Sequence, residues 1–282
     1  MASIGFLCVL CVSVVKNSDQ GETAVSFANQ VAIVTGASSG IGWELAKTLA
    51  AQQCAVGVVA RRKDRLEALV EEIQAAGGKA ACAVADVSEH AQTLAAIHSL
   101  RDQLGPVDLL IANSGVGMPT TLEPINIDEI EMMFKVNTLG VVYAIEAVLP
   151  EMLQRGQGHL VAVSSMAAYL GMPGESGYCA SKAAVNYYMD GLRIQLRRRG
   201  IHVTTVCPGF IETPMTAANT FKMPWLLKAD RAAAMIVKAL GRKKKVYNFP
   251  WQMSLLMKLA GWAPDWLLER ILAGKAGKRL EM

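Results

Sequence analysis

Tyr178 and Lys182 stand four residues apart at the head of a stretch that continues Ala183-Ala184-Val185 and Tyr187-Tyr188 at helical spacing. On a helix the two side chains share one face, a turn from each other. A phenol beside an ammonium is a tuned acid. Free tyrosine titrates near ~10, and bringing it to about 7 needs roughly 4 kcal/mol of preference for the phenolate. A unit cation at about 4 Å supplies that order of energy at an effective dielectric of about 20. Ser165 follows an apolar run, 160–163, that reads as a buried strand ending in a loop. Its hydroxyl could hold a carbonyl oxygen toward the same phenol, which makes proton transfer at a carbonyl or alcohol the chemistry to test. Tyr-x-x-x-Lys also arises by chance in many helices, so the rest of the chain must supply the context.

A short β-branched strand, 30–35, opens directly into Gly36-Ala37-Ser38-Ser39-Gly40-Ile41-Gly42, and a helix over 43–52 follows. A glycine turn between strand and helix sets backbone N–H groups and a helix amino terminus beside any bound phosphate. The spacing is G-x-x-x-G-x-G rather than the commoner G-x-G-x-x-G. A second strand, 55–60, ends in Arg61-Arg62-Lys63. In a dinucleotide fold this strand end meets the adenosine ribose, where a carboxylate would bind the 2′-hydroxyl. Here none precedes Asp64. The guanidinium groups of Arg61 and Arg62 favour a 2′-phosphate instead. One charge-assisted contact of about 1.5–3 kcal/mol corresponds to roughly ten- to hundred-fold preference for NADP(H) over NAD(H). The plain alternative is a solvated helix start.

The elements that position these residues alternate regularly. A helix over 66–76 ends at Gly77-Gly78. A third strand, 79–85, leads to Asp86-Val87, and Ser88 is placed to cap a helix reaching about 104. A fourth strand, 107–111, ends in Ala112-Asn113-Ser114-Gly115. A long helix over 128–154 carries Asn137 among Phe134, Val136, Leu139 and Val141. A buried amide there is costly unless paired, which gives it a structural or relay role. The Tyr178 helix ends in Arg197-Arg198-Arg199-Gly200, cations at a terminus with a glycine cap. A sixth strand, 201–207, runs into Pro208-Gly209 and 210–214. Residues 216–228 form a loop or lid, 231–240 a helix and 245–249 a last strand.

Length and composition agree with one α/β domain. The chain has 282 residues, 52% hydrophobic and 18% charged, with no composition break. A net charge of +4 is small for that length and argues against nucleic acid as a partner. The six cysteines sit mainly in apolar runs, as Cys54, Cys82 and Cys207 do, and read as buried thiols in a reducing compartment. Cys8 and Cys11 have C-x-x-C spacing without a second pair or a nearby histidine, so no metal site is expected.

The order of these motifs resembles the short-chain dehydrogenase/reductase superfamily over roughly 29–250. Thr35-Gly36-x-x-x-Gly40-Ile41-Gly42 is similar to its cofactor turn, and Asp86, followed by Val87, matches its adenine-contacting aspartate. Asn137, Ser165, Tyr178 and Lys182 match its catalytic tetrad. Pro208-Gly209, with Ile211 and Thr213 beyond it, resembles its nicotinamide-side turn. The family usually reads Asn-Asn-Ala-Gly where this chain has Ala112-Asn113-Ser114-Gly115; Asn113 and Gly115 are kept. The resemblance implies one doubly wound parallel Rossmann-type sheet with helices on both faces and hydride transfer between a nicotinamide and a carbonyl or alcohol. In that scheme Tyr178 exchanges the proton, Lys182 depresses its pKa and binds the nicotinamide ribose, Ser165 orients the substrate oxygen and Asn137 holds a water. The substrate expected is an apolar or lipid-like ketone or aldehyde. An NAD-dependent alcohol dehydrogenase of the same fold and a non-catalytic cofactor sensor are the rivals.

Both ends of the chain fall outside the resemblance. Residues 1–28 read as an appendage whose apolar run, 4–15, is too short to span a bilayer and precedes its first cation, Lys16. Weak membrane attachment and a natural start further downstream are both open for it. The extension 251–282 carries Trp251, Met253, Leu255, Leu256, Met257, Trp262, Trp266 and Leu267, preceded by the basic run Arg242 to Lys245. Packing on the domain or a partner subunit, roofing an apolar pocket and contact with a membrane surface are the readings it allows. The expected assembly is a homodimer through the Asn137 and Tyr178 helices, with Tyr187, Tyr188 and Leu192 as apolar surface. The expected location is the cytoplasm, with at most peripheral membrane contact.

Overall fold

Strands hidden on both faces of a parallel sheet must be continuously apolar, and β1 (Val31–Thr35) is buried at every position. The computed structural model describes residues 27–217, 219 and 221–276. After β1 come α1 (Gly40–Ala50), β2 (Ala55–Ala60), α2 (Lys63–Ala75), β3 (Lys79–Val84), α3 (His90–Leu104) and β4 (Leu109–Ala112). The second half holds α4 (Ile127–Phe134), α5 (Gly140–Arg155), β5 (Gly158–Val163), α6 (Ser176–Leu196) and β6 (Ile201–Pro208). The short β7 (Ile211–Glu212), α7 (Pro214–Ala217) and β8 (Leu227–Lys228) follow, then α8 (Ala229–Gly241), β9 (Val246–Phe249), α9 (Trp251–Ala260) and α10 (Asp265–Ala276).

Seven strands pair in the order β3-β2-β1-β4-β5-β6-β9, all parallel, and β7 pairs with β8 apart from them. The period of two along each strand splits the core. Ala32 and Val34 join Leu45, Leu69 and Ile236 on one face, and Ile33 joins Leu100, Ile145 and Val185 on the other. The doubly wound α/β sheet is therefore as the sequence leads one to expect. Strand order reverses between β1 and β4, which opens a crevice at their carboxyl ends.

Four details depart from the local reading. The helix expected over 128–154 carries a π turn at Lys135–Leu139, with Asn137 at its centre. Ser88 does not cap α3; Glu89 holds that position, and the Ser88 hydroxyl donates to Asp86 instead. Within 216–228, α7 and the β7–β8 pairing give the segment a framework, since Leu227 N–H also bonds the Phe210 carbonyl. Tyr188 and Leu192 turn partly into the core, leaving Tyr187 and Ile194 as the exposed apolar residues of α6.

Phe27, at the edge of the appendage, is buried in the core, so the packed domain reaches at least that far. Residues 1–26, including Cys8, Cys11 and the apolar run 4–15, lie outside the described residues. Cys54, Cys82, Cys179 and Cys207 are free thiols. Among the described residues no group of three or more His, Cys, Asp or Glu could hold a metal. The helical stretch Ile127–Arg155, π turn included, is apolar and long enough to cross a bilayer, but half of its most apolar part is buried in this fold.

Candidate active site

A cleft of about 310 Å³ lies at the carboxyl ends of the strands. Its walls come from the loops that follow β1 to β6, which brings together residues scattered from Gly36 to Thr216. Gly36, Ser38, Ser39, Gly40 and Ile41 line it, as do Arg61, Arg62, Asp86, Val87, Asn113 and Gly115. Ser165, Tyr178, Lys182, Pro208, Gly209, Ile211 and Thr213 complete the set singled out in the sequence. Gly42 and Asn137 stand behind the wall.

The glycine turn is shaped by what it must approach. Gly36 and Gly40 adopt φ of +68° and +59°, a region that side chains disfavour. A Cβ at Gly42 would sit 2.5 Å from the Gly36 carbonyl oxygen and 2.6 Å from Asn113 Nδ2, so α1 can enter the turn only with glycine there. Asn113 fastens the turn to β4: its Nδ2 donates to the Thr35 carbonyl at 3.0 Å, while Thr35 Oγ1 accepts from Asn113 and Ser114 N–H at 3.1 Å each. The first turn of α1 has no acidic residue, and its amide N–H groups have no intrahelical partners. Those amides face the cleft as an anion cradle, which suits a pyrophosphate.

At the β2 end, Arg62 folds back over this turn. Its Nη2 donates to Ser38 Oγ at 2.8 Å and to Ser39 Oγ at 2.9 Å. Arg61 pairs with Asp86 at 3.5 Å and leaves 64% of its side chain exposed. Hydrogen bonds from Ser88, and then Arg61, hold the Asp86 carboxyl below its usual range in spite of partial burial, which acts the other way.

The inner end of the cleft is dry. The Ser165 hydroxyl accepts the Ala167 N–H at 3.1 Å, which caps the turn Met166–Tyr169, and it lies close enough to the Tyr178 phenol to favour its charged form. Lys182, 4% exposed, donates from Nζ to the Val163 carbonyl at 3.0 Å, and Ser164 Oγ donates to the Lys182 carbonyl at 3.1 Å. The tuning expected from the i, i+4 spacing is reversed in the chain alone. Burial pushes Tyr178 up to about 12, against the opposing influence of the Ser165 hydroxyl, and pushes Lys182 down to about 8. Both groups are out of water, and desolvation outweighs the attraction that spacing alone suggests.

Asn137 is wholly buried and fully paired. Its Oδ1 accepts from Val116 N–H at 2.8 Å, and its Nδ2 donates to the Val116 carbonyl at 2.9 Å and to Ser181 Oγ at 2.9 Å. The amide therefore clamps the β4 loop to α6. Gly115 leaves the space this needs, since a Cβ there would meet Lys182 Nζ at 3.2 Å and Asn137 Oδ1 at 3.3 Å. Two contributors carried no clear signal in the sequence. Gly117 and Met215 flank Tyr178, a Cβ at Gly117 lying 3.5 Å from Tyr178 Cδ2 and 3.7 Å from Met215 Sδ. Thr213 closes on Gly40, whose Cβ would come within 2.9 Å of its methyl group.

Residues 30–223 match the family model described as short chain dehydrogenase. An uncharacterized oxidoreductase of Myxococcus xanthus is 38% identical over 240 residues, covering 85% of this chain and 95% of its own. A short-chain dehydrogenase/reductase from Burkholderia phymatum, solved with NAD, has a TM-score of 0.77 at 25% identity over 83% of this chain and 93% of its own. A variant of actinorhodin polyketide ketoreductase solved with NADPH has a TM-score of 0.72 at 27% identity over 78% of this chain and 95% of its own.

Proposed function

The chain belongs to the short-chain dehydrogenase/reductase superfamily, and from that premise we propose that it is an NADP(H)-dependent reductase of apolar or lipid-like ketones and aldehydes. Like its family it is a nicotinamide-dependent oxidoreductase. The observation that carries the reading is that Ser165 and Tyr178 line the dry end of the same cleft, where burial pushes the phenol up to about 12. A phenol placed there has its proton to give to a carbonyl oxygen.

The cofactor, when bound, supplies the hydride. Gly36 to Ile41 and the α1 amides would hold its pyrophosphate, Asp86, Val87, Asn113 and Gly115 its adenosine, and Pro208, Gly209, Ile211 and Thr213 its nicotinamide side. Arg61 and Arg62 would meet a 2′-phosphate, with no carboxylate at the end of β2 to repel it. Tyr178 donates the proton. Ser165 aligns the substrate oxygen with it, and Lys182 holds the nicotinamide ribose and the field at the phenol. Asn137 ties Val116 to Ser181, the residue before Lys182, from behind. Met215 and Gly117 give the substrate side an apolar wall next to Tyr178.

The free thiols suit a cytoplasmic enzyme. A homodimer is the proposed assembly, formed through α5 and α6 with Tyr187 and Ile194 outermost. Oxidation of NADPH and of NADH by the purified protein, against a panel of short- and long-chain ketones and aldehydes, tests the reading. Turnover with NADPH and long-chain carbonyls is expected; activity confined to NAD with short alcohols would refute it.

A further inference from the structure

A helix docked along the sheet can hide most of its apolar residues, as α8 does. In α8, Ala232, Ala233, Ile236, Val237, Ala239 and Leu240 are all buried. The opposite holds for α9, where Met253 alone is buried. Trp251, Leu255, Leu256 and Leu259 fall on one side of α9, and with Trp262 and Trp266 beyond it each is at least 50% exposed. An apolar face of this size on a soluble surface marks an interaction site.

Its position and charge say what it meets. β9 delivers the chain to α9 at the carboxyl end of the sheet, where Gly209 N–H bonds the Phe249 carbonyl at 2.7 Å. Met253 packs against Gly209, whose missing Cβ would lie 2.7 Å from its Sδ, so α9 abuts the cleft wall at Gly209. Trp225 and Leu226, also exposed, leave the same end of the sheet through the Leu227–Phe210 hydrogen bond. From Trp251 to Pro264 the sequence has no carboxylate and one cation, Lys258, which borders the apolar face. Over the described residues 251–276, Lys258, Arg270 and Lys275 against Asp265 and Glu269 leave a net charge of +1. The run Arg242 to Lys245 is not part of this surface, because it precedes β9 and lies at the strand's other end.

Indole rings belong at the headgroup level of a bilayer, and cations beside them favour anionic lipid. At ten residues α9 is about 15 Å long, so it lies on a membrane rather than crossing it. We propose that α9, Trp262, Trp266 and the Trp225–Leu226 turn dock this protein on an anionic lipid surface with the cleft mouth toward it. The docked enzyme takes its substrate from the membrane, a step that rests on the reductase reading; the docking itself does not.

Full-length protein is sedimented with vesicles of phosphatidylcholine, with and without phosphatidylglycerol. Wild type is expected to pellet with the anionic vesicles, and Trp251→Ser/Leu255→Ser/Leu259→Ser to lose binding roughly ten-fold or more. Lys258→Glu should weaken it less, and high salt should mimic that change. Since the substituted residues are exposed, the triple variant should melt as wild type and remain protected by NADPH. Vesicle binding should survive Tyr178→Phe, which separates failure of the docking surface from failure of the reaction. The proposal is overturned if wild type ignores both vesicle types, or if the triple variant pellets as wild type. It is also overturned if light scattering shows wild type self-associating through this face without binding lipid.

Discussion

The two ends of the cleft hold their cations in opposite ways. At the outer end Arg61 and Arg62 are exposed, and their donors rest on a carboxylate and two serine hydroxyls. At the inner end Lys182 is buried against a backbone carbonyl, its pKa driven down beside a phenol driven up. Charge in water is screened and easily re-paired, so the outer end suits binding and release of an anion. Charge out of water is costly and sensitive to its neighbours, so the inner end suits holding or moving a proton. One fold supplies both because the crevice runs from the solvated edge at β2 to the packed junction of β5 and α6.

The largest effect should come from the dry end. Tyr178→Phe keeps the ring and removes the proton, and turnover should fall by about 10²–10⁴ with NADPH affinity nearly unchanged. Near wild-type turnover in steady-state assays would break the contrast between an end that reacts and an end that binds. Lys182 offers a stability test of the same end. Its pKa lies near 8 in the folded chain and near ~10.4 unfolded. Between these values the unfolded chain binds the proton and the folded chain does not, so stability rises with pH. Cofactor-free wild type should therefore gain about 2 kcal/mol relative to Lys182→Met as pH goes from 8 to 10. Urea titrations of both proteins measure it, and a flat difference would place the ammonium in contact with water.

At the outer end the effects should be smaller and should fade with salt. Arg62→Ala should weaken NADPH binding by about 1.5–3 kcal/mol and leave NADH nearly untouched, as read by fluorescence titration. Equal losses for the two cofactors would mean that Arg62 only braces Ser38 and Ser39. Arg61→Ala should cost less, under about 1 kcal/mol, because its guanidinium is largely solvated and already shared with Asp86. A larger loss for Arg61 than for Arg62 would reverse the assignment of the two.

What the sequence determined by itself is whatever short-range patterning encodes. The apolar runs of β1, β2, β4, β5 and β6 announce a buried parallel sheet because each strand must be apolar on both faces. The glycine turn and the Tyr178–Lys182 spacing are legible for the same reason, since a strand-to-helix turn and one helical turn are local geometry. What needed the tertiary structure involves partners far along the chain. Asn137 is a clamp only because a π turn swings it to Val116 and Ser181, the latter 44 residues away. Arg62 reaches Ser38 across 24 residues, and the basic run that precedes β9 parts company with the tryptophans that follow it because a strand separates them. The pKa order of Tyr178 and Lys182 also inverts on folding. Spacing sets how near two groups lie along a helix, but only the packing of β5 against α6 decides how much water is left to solvate them, and burial is the largest cause of both shifts.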